Sequence, residues 1–264
     1  MSEHVIGSTT RPYSKLTYEE AFERIAAAGY SDVAVFANAG HMPVHADSTS
    51  AEVAAVRQAA ESAGVVPSML LARAVLDEGL EAAVDDYRRL IDNAADLGAS
   101  WLLELGTGKE EFFDIYFELM SQAAVWAHER GLKITMKPHG GISLTAEHLL
   151  AAHQRVGHPA FGISFDPGNI IYYTVGERRP EADVGAVAPT VSTFIVKDCI
   201  VKDGKADVMV NAGDGLVDFR DVLSQLRESG FSGPLYVECV GGSEPSDVDR
   251  DLAYTLGFVR GVLS

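Results

Sequence analysis

The chain has 264 residues, 47% of them hydrophobic, and a formal charge of -17 at neutral pH. That length and apolar share suffice for one sizeable core, and α/β barrels commonly reach this size as one domain, here read as 1–264. So acidic a surface repels phosphate backbones and anionic lipid, which argues against nucleic acid and membrane as partners and leaves open an anionic small molecule in a locally basic pocket.

Met1-Ser2-Glu3-His4 shows no basic stretch leading into an apolar run, so no signal peptide is expected. No apolar run reaches the roughly 18 residues of a membrane span. Two cysteines, Cys199 and Cys239, form no CxxC pair and are too few for a disulfide framework. A reduced, cytoplasmic enzyme is the simplest reading. Each cysteine follows an acidic residue at a strand end, which raises a thiol's pKa, so both read as packing thiols.

Strands and helices alternate along the chain without a break in composition. A first strand spans 4–10. Thr17 with Glu20 forms a capping-box pattern, and the helix behind it runs to about Gly29. The second strand, 32–37, leads into a polar loop with Asn38, His41 and His45, and then a helix from about Ser50 to Ala63. The third strand is 66–72, with a long helix to about Leu97. The fourth is 101–105, with a helix over roughly 110–130. The fifth, 132–137, precedes a helix from about Thr145 to Val156. The sixth is 161–166 and the seventh 193–198, the latter followed by a hairpin turning at Asp203-Gly204 and a helix over about 217–229. The eighth strand is 235–240, and a last helix covers about 247–262.

Eight strands, each followed by a helix or a helix-sized segment, predict an α/β fold of the (β/α)8 TIM barrel kind. A doubly wound open sheet is the alternative, weakened by the lack of a GxGxxG turn after the first strand.

In such a barrel the site lies at the C-terminal ends of the strands. Alternation puts Thr135 and Lys137 on one face, and likewise Ser164 with Asp166, Ile195 with Lys197, and Tyr236 with Glu238. One mouth is therefore expected to hold Lys137, His139, Asp166, Lys197 and Glu238, joined by Glu104 if that side chain turns inward. Each has a structural alternative. The two lysines can be ion-pair partners of the acids, His139 can bond a carbonyl in its glycine-rich turn, and Asp166 can start a turn before Pro167-Gly168. His41 and His45 read as surface histidines. Asp, Glu and His together suit a divalent ion such as Mn2+, Mg2+ or Zn2+. Such an ion can hold two oxygens of a ketose while a base moves a proton between adjacent carbons.

With these residues in view, the chain resembles the xylose-isomerase-like TIM-barrel family, the sugar isomerase and epimerase group. The resemblance rests on the order and spacing of 16–22 through 29–33, His139-Gly140-Gly141, Asp166-Pro167-Gly168-Asn169, Val196-Lys197-Asp198 and Gly213-Asp214-Gly215 through to Glu238. It implies a metal site with Glu, Asp, His and Glu from the fifth to eighth strands. Asp166 and Glu238 match two of these positions. Lys137 stands at the fifth-strand Glu, Ile195 at the seventh-strand His, and Asn169 at a further family His. A two-glutamate proton shuttle therefore does not carry over unchanged. Either His139 and Glu104 complete a relocated metal site, or Lys137 supplies a fixed positive charge beside an oxyanion.

The expected function is a sugar or keto-sugar isomerase or epimerase. Glu238, Lys137 and His139 are the catalytic candidates. Lys197, Asn169, Glu104 and Tyr173 are the substrate-binding candidates, and Asp166, Glu238 and His139 the metal ligands. The partner is a small carbohydrate, and assembly into a homo-oligomer stays open. A lyase working by β-elimination or dehydration on the same fold, and a non-catalytic binding barrel, are the alternatives. The abasic-site endonucleases of the family use a cluster of histidines on a basic face, which this acidic chain lacks.

Overall fold

The computed structural model describes residues 4–264. The leader reading at Met1–Glu3 falls outside the described residues. Eight parallel strands close into a barrel in the order β1, β10, β7, β6, β5, β4, β3, β2. They are β1 (Ile6–Thr9), β2 (Asp32–Val35), β3 (Val66–Leu71), β4 (Trp101–Glu104), β5 (Lys133–Met136), β6 (Phe161–Phe165), β7 (Val191–Val196) and β10 (Leu235–Val237). The remaining pair, β8 (Ile200–Lys202) and β9 (Lys205–Asp207), forms the antiparallel hairpin expected at Asp203-Gly204.

The outer layer consists of α1 (Tyr18–Ala27), α2 (Ser50–Ala63), α3 (Leu80–Leu97), α4 (Phe113–Glu129), α5 (Ala146–Val156), α7 (Pro180–Val187), α8 (Phe219–Glu228) and α9 (Pro245–Leu263), with a short α6 (Pro167–Tyr173) at the mouth. Thr17 accepts from Glu20 N while the Glu20 carboxylate accepts from Thr17 N, so the capping box read from the sequence starts α1. Among the described residues no helix is long and apolar enough to cross a membrane.

Alternation sorts the strand residues into two cores. Val33, Leu70, Leu102, Met136, Phe165, Phe194 and Val237 face the helices. Ala34, Phe36, Met69, Leu103, Ile195 and Tyr236 pack together inside the barrel. Below that apolar plug the Tyr236 hydroxyl meets Ser68 Oγ at 2.5 Å, and Ser68 in turn donates to Asp32. Above it the interior turns polar.

The observed strands stop short of the predicted ones, at Met136 rather than Lys137, Phe165 rather than Asp166, and Val237 rather than Val240. These residues leave the ladder to fan into the mouth. The sequence pattern also missed α6 and α7. Gly176 and Pro180 break the 3.6-residue period there and leave two short helices instead of one.

Candidate active site

Four charged residues each stand one position beyond their strand: Lys137 after β5, Asp166 after β6, Lys197 after β7 and Glu238 after β10. All four are buried, at 2%, 0%, 2% and 4% exposure, so their charges must be answered by one another. The Lys197 ammonium spends its three donors on three oxygens: Asp166 Oδ2 at 3.0 Å, Asn169 Oδ1 at 3.1 Å and Glu238 Oε1 at 2.7 Å. Lys137 donates to Glu238 Oε2 and lies 3.5 Å from Asp166 Oδ2. Its Nζ also sits 5.9 Å from the centre of the Phe36 ring.

The Asp166-Pro167-Gly168-Asn169 run builds one side of this cluster. Asp166 Oδ1 accepts from Asn169 N at 3.0 Å and caps α6, whose first residue is Pro167, where a missing N–H costs nothing. A Cβ on Gly168 would lie 2.7 Å from both the Cγ and the backbone oxygen of Lys197, so only glycine lets α6 approach this closely. The Asn169 amide donates to Pro138 O at 2.7 Å, tying the end of β5 to Lys197.

Burial pushes Lys137 below the ordinary lysine pKa, with the Lys197 cation adding to that push and Glu238 only partly opposing it. Burial also works against Lys197, yet Asp166 and Glu238 outweigh it and hold Lys197 firmly protonated. For Glu238 burial favours the neutral acid, but Lys137, Lys197 and Arg11 together keep it ionised well below the carboxylate range.

The three-ligand metal set of Asp166, Glu238 and His139 does not assemble. Among the described residues no three His, Cys, Asp or Glu side chains converge as metal ligands. Asp166 Oδ1 and Oδ2 and Glu238 Oε1 and Oε2 each already accept a donor. An ammonium occupies the gap between them that a hard cation with about six oxygen ligands would need. The residues present do not fit a divalent ion.

His139 is exposed at the rim, its ring 5.3 Å from that of half-buried Tyr173. The chain turns outward after Pro138 because His139 N donates to both Ser143 O and Ser143 Oγ. Reduced solvation in the mouth, with Lys137 and Lys197 behind it, pushes the imidazole pKa down.

Glu104 belongs elsewhere. It pairs in register with Met136, whose side chain faces the helices, so Glu104 points out of the barrel and accepts from Tyr116 of α4 at 3.3 Å. It contributes nothing to the mouth, which corrects its assignment as a substrate-binding residue. His41 and His45 are exposed, and Cys199 and Cys239 are buried free thiols.

Two residues of the site escape the sequence argument. Arg11, just past β1, donates to Cys239 Sγ and feels Glu238 through space; a charge two positions beyond the first strand was its signal. Asp198 is buried and accepts from the backbone of Cys199, Gly213, Gly215 and Val217, pinning the long β7–α8 connection beside the mouth. A cleft of about 470 Å³ opens onto Glu238 between the β1 and β10 ends.

The xylose isomerase-like TIM barrel model matches residues 22–257. The chain belongs to that family. Among solved structures, a xylose isomerase-like TIM barrel protein from Mycobacterium smegmatis in complex with magnesium aligns with TM-score 0.79 and 16% identity over 99% of this chain and 98% of that one. D-psicose 3-epimerase from Clostridium cellulolyticum H10 with D-tagatose aligns with TM-score 0.77 and 13% identity over 98% and 99%. A xylose isomerase domain protein from Planctomyces limnophilus aligns with TM-score 0.72 and 23% identity over 91% of each. No curated protein sequence matches the chain.

Proposed function

We propose that this family member is a sugar or keto-sugar isomerase or epimerase that moves a proton beside a carbonyl using its two lysines and no metal. The observation that carries the reading is the Lys137–Glu238–Lys197–Asp166 cluster at the barrel mouth. Stability gives little reason to build it, since apolar residues in place of buried ion pairs are often neutral or better by about 1–4 kcal/mol. The D-psicose 3-epimerase neighbour lends support from fold.

In the free protein Glu238 is too well held to be a strong base. A substrate carbonyl that accepts from Lys137 takes that N–H away from Glu238 Oε2. The carboxylate then keeps only Lys197 at 2.7 Å, and its basicity rises at the moment a C–H lies beside it. Negative charge developing on the substrate oxygen is met by the Lys137 ammonium, already oriented and shielded from water. Because burial pushes Lys137 down, it gives up a proton to that oxygen more readily than an ordinary lysine. Glu238 returning the proton to the neighbouring carbon, as the hydroxyl there gives its proton to the neutral Lys137 amine, isomerises the sugar; epimerisation takes its proton from a water on the opposite face while Glu238 releases its own to solvent.

The test is deuterium wash-in by NMR over a panel of ketoses and keto-sugars in D2O. Exchange next to the carbonyl is expected, insensitive to chelator and lost in Glu238→Gln and Lys137→Met. No exchange across the panel, or exchange unchanged in both variants, rejects the reading. Release of an aglycone or of water moves it to a lyase.

A further inference from the structure

We propose that Arg11 forms an anion subsite, and that the substrate of this mouth is a carboxylate-bearing sugar rather than a neutral one. The inference rests on the isomerase reading for the identity of the reacting site, and on a separate set of contacts for the anion.

Inside the cluster two ammonium groups face two carboxylates, so its charge is balanced without Arg11. Arg11 is half-buried in the wall of the cleft that opens onto Glu238. Among the described residues no carboxylate lies within ion-pairing distance of its guanidinium, and the side-chain partner it has is the Cys239 thiol. A thiol is a weak acceptor and leaves most of the five-donor fork unused. Burial works against the charge, and Cys239, followed by Glu238 and Asp166 acting through space, more than offsets it, so the guanidinium stays charged. Lys15, exposed on the outer wall of the same cleft, adds a second cation without an ion pair among the described residues. Glu244, exposed on the opposite lip, is the one acid of the cleft outside the cluster. In a chain of net charge -17, a half-buried arginine with no carboxylate in ion-pair contact leaves its fork open to an anion entering the cleft.

A planar fork suits a carboxylate bidentately. A phosphate would also draw on backbone N–H groups of the loop after the last strand, where barrels often hold one. Here two of those donors are spent: Gly241 N donates to Asn211 Oδ1 at 2.9 Å and Gly242 N to Asp251 Oδ2 at 2.9 Å. The cleft volume of about 470 Å³ lies in the range of small-molecule sites.

Isothermal titration of the intact protein with D-gluconate, D-sorbitol and sorbitol 6-phosphate tests this without turnover. Gluconate and sorbitol differ by a carboxylate in place of a hydroxymethyl group. Gluconate is expected to bind about ten- to a hundredfold more tightly than sorbitol, the span that a charge-assisted bidentate contact supplies. Arg11→Gln is expected to erase the difference, and Arg11→Lys, which keeps the charge without the fork, to retain part of it. Melting curves of both variants show whether either is misfolded. Equal binding of gluconate and sorbitol, a preference unchanged in Arg11→Gln, a preference for the phosphate, or binding of none of the three overturns the proposal. Wash-in with neutral keto-sugars but no gluconate preference sinks the subsite and leaves the isomerase; gluconate preference without wash-in does the reverse.

Discussion

The Lys197 ammonium lies 2.7 Å from Glu238 Oε1, with both groups buried at the top of the barrel. That contact joins the ends of the neighbouring strands β7 and β10. Through Asp166 and Asn169 the same ammonium also holds the start of α6. One cation thus ties three barrel strands and a helix at the point where a cation of another kind is expected from the family resemblance.

Removal of that cation is expected to be costly. Lys197→Met leaves Asp166 and Glu238 facing each other with only Lys137 between them. Breaking a buried pair from one side costs about 3–5 kcal/mol. Lys137→Met is expected to cost less, because the acids outweigh burial at Lys197 but not at Lys137, whose charge is held less firmly. Urea unfolding of the two variants gives the order, and adding Glu238→Gln to Lys197→Met is expected to recover part of the loss. Equal, small losses in both lysine variants would mean that the cluster is not held together by these charges.

Divalent metal is expected to be absent from the purified wild-type protein and to bind no better than a nonspecific acidic surface. The double variant Lys137→Glu with Lys197→Ala removes both ammonium groups and leaves three carboxylates with Asn169. It is expected to acquire a Mn2+ site, read by titration calorimetry or by the EPR signal of the ion. One tightly bound ion per wild-type chain would show that the carboxylate oxygens exchange their lysine partners for metal.

Much of this architecture was legible beforehand because it follows local rules. The two-residue period of the strands put Lys137, Asp166, Lys197 and Glu238 on the inner face, and all four meet there. The hairpin at Asp203-Gly204 and the capping box at Thr17 are short-range chemistry and appear as read. What could not be read depends on contacts between distant segments. Glu104 needed the register with Met136 to show that it faces the helices. His139 needed Ser143 to show that the chain bends outward. The role of Lys197 as a three-oxygen centre depends on Asn169, whose side chain is aimed by a bond to Pro138 across the β5–β6 gap.

Gly168→Ala tests the close approach of α6 to Lys197. The added methyl would sit 2.7 Å from the Lys197 backbone oxygen, which has no freedom to move aside as a side chain would. Overpacking of this kind costs about 1–3 kcal/mol. The larger consequence expected is functional: α6 shifts, the Asn169–Lys197 contact opens, and deuterium wash-in falls more than stability does. Full exchange activity in Gly168→Ala would show that the Asn169 contact is dispensable.

Glu104 supplies a pH dependence of stability separable from the mouth. Its carboxyl is enclosed between β4 and the helices, with Tyr87 and Tyr116 nearby and no cation paired to it among the described residues, and burial raises its pKa from 4.5 to about 7. The sign follows from which state holds the proton. Between pH 4.5 and about 7 the folded protein keeps Glu104 protonated while the unfolded chain does not, so folding takes up a proton and stability falls as pH rises through that window. Below it both states are protonated and the contribution is complete; above it the folded state carries an unpaired buried carboxylate. The loss across the window is on the order of 3 kcal/mol, from a shift of roughly two and a half units. Glu104→Gln mimics the protonated acid. Denaturant unfolding at pH 5 and pH 8 is expected to give similar stabilities for wild type and Glu104→Gln at the lower pH and a more stable variant at the higher one. The difference between the two proteins cancels the other carboxylates. Parallel pH profiles would mean that Glu104 stays neutral, or stays charged, across the whole range.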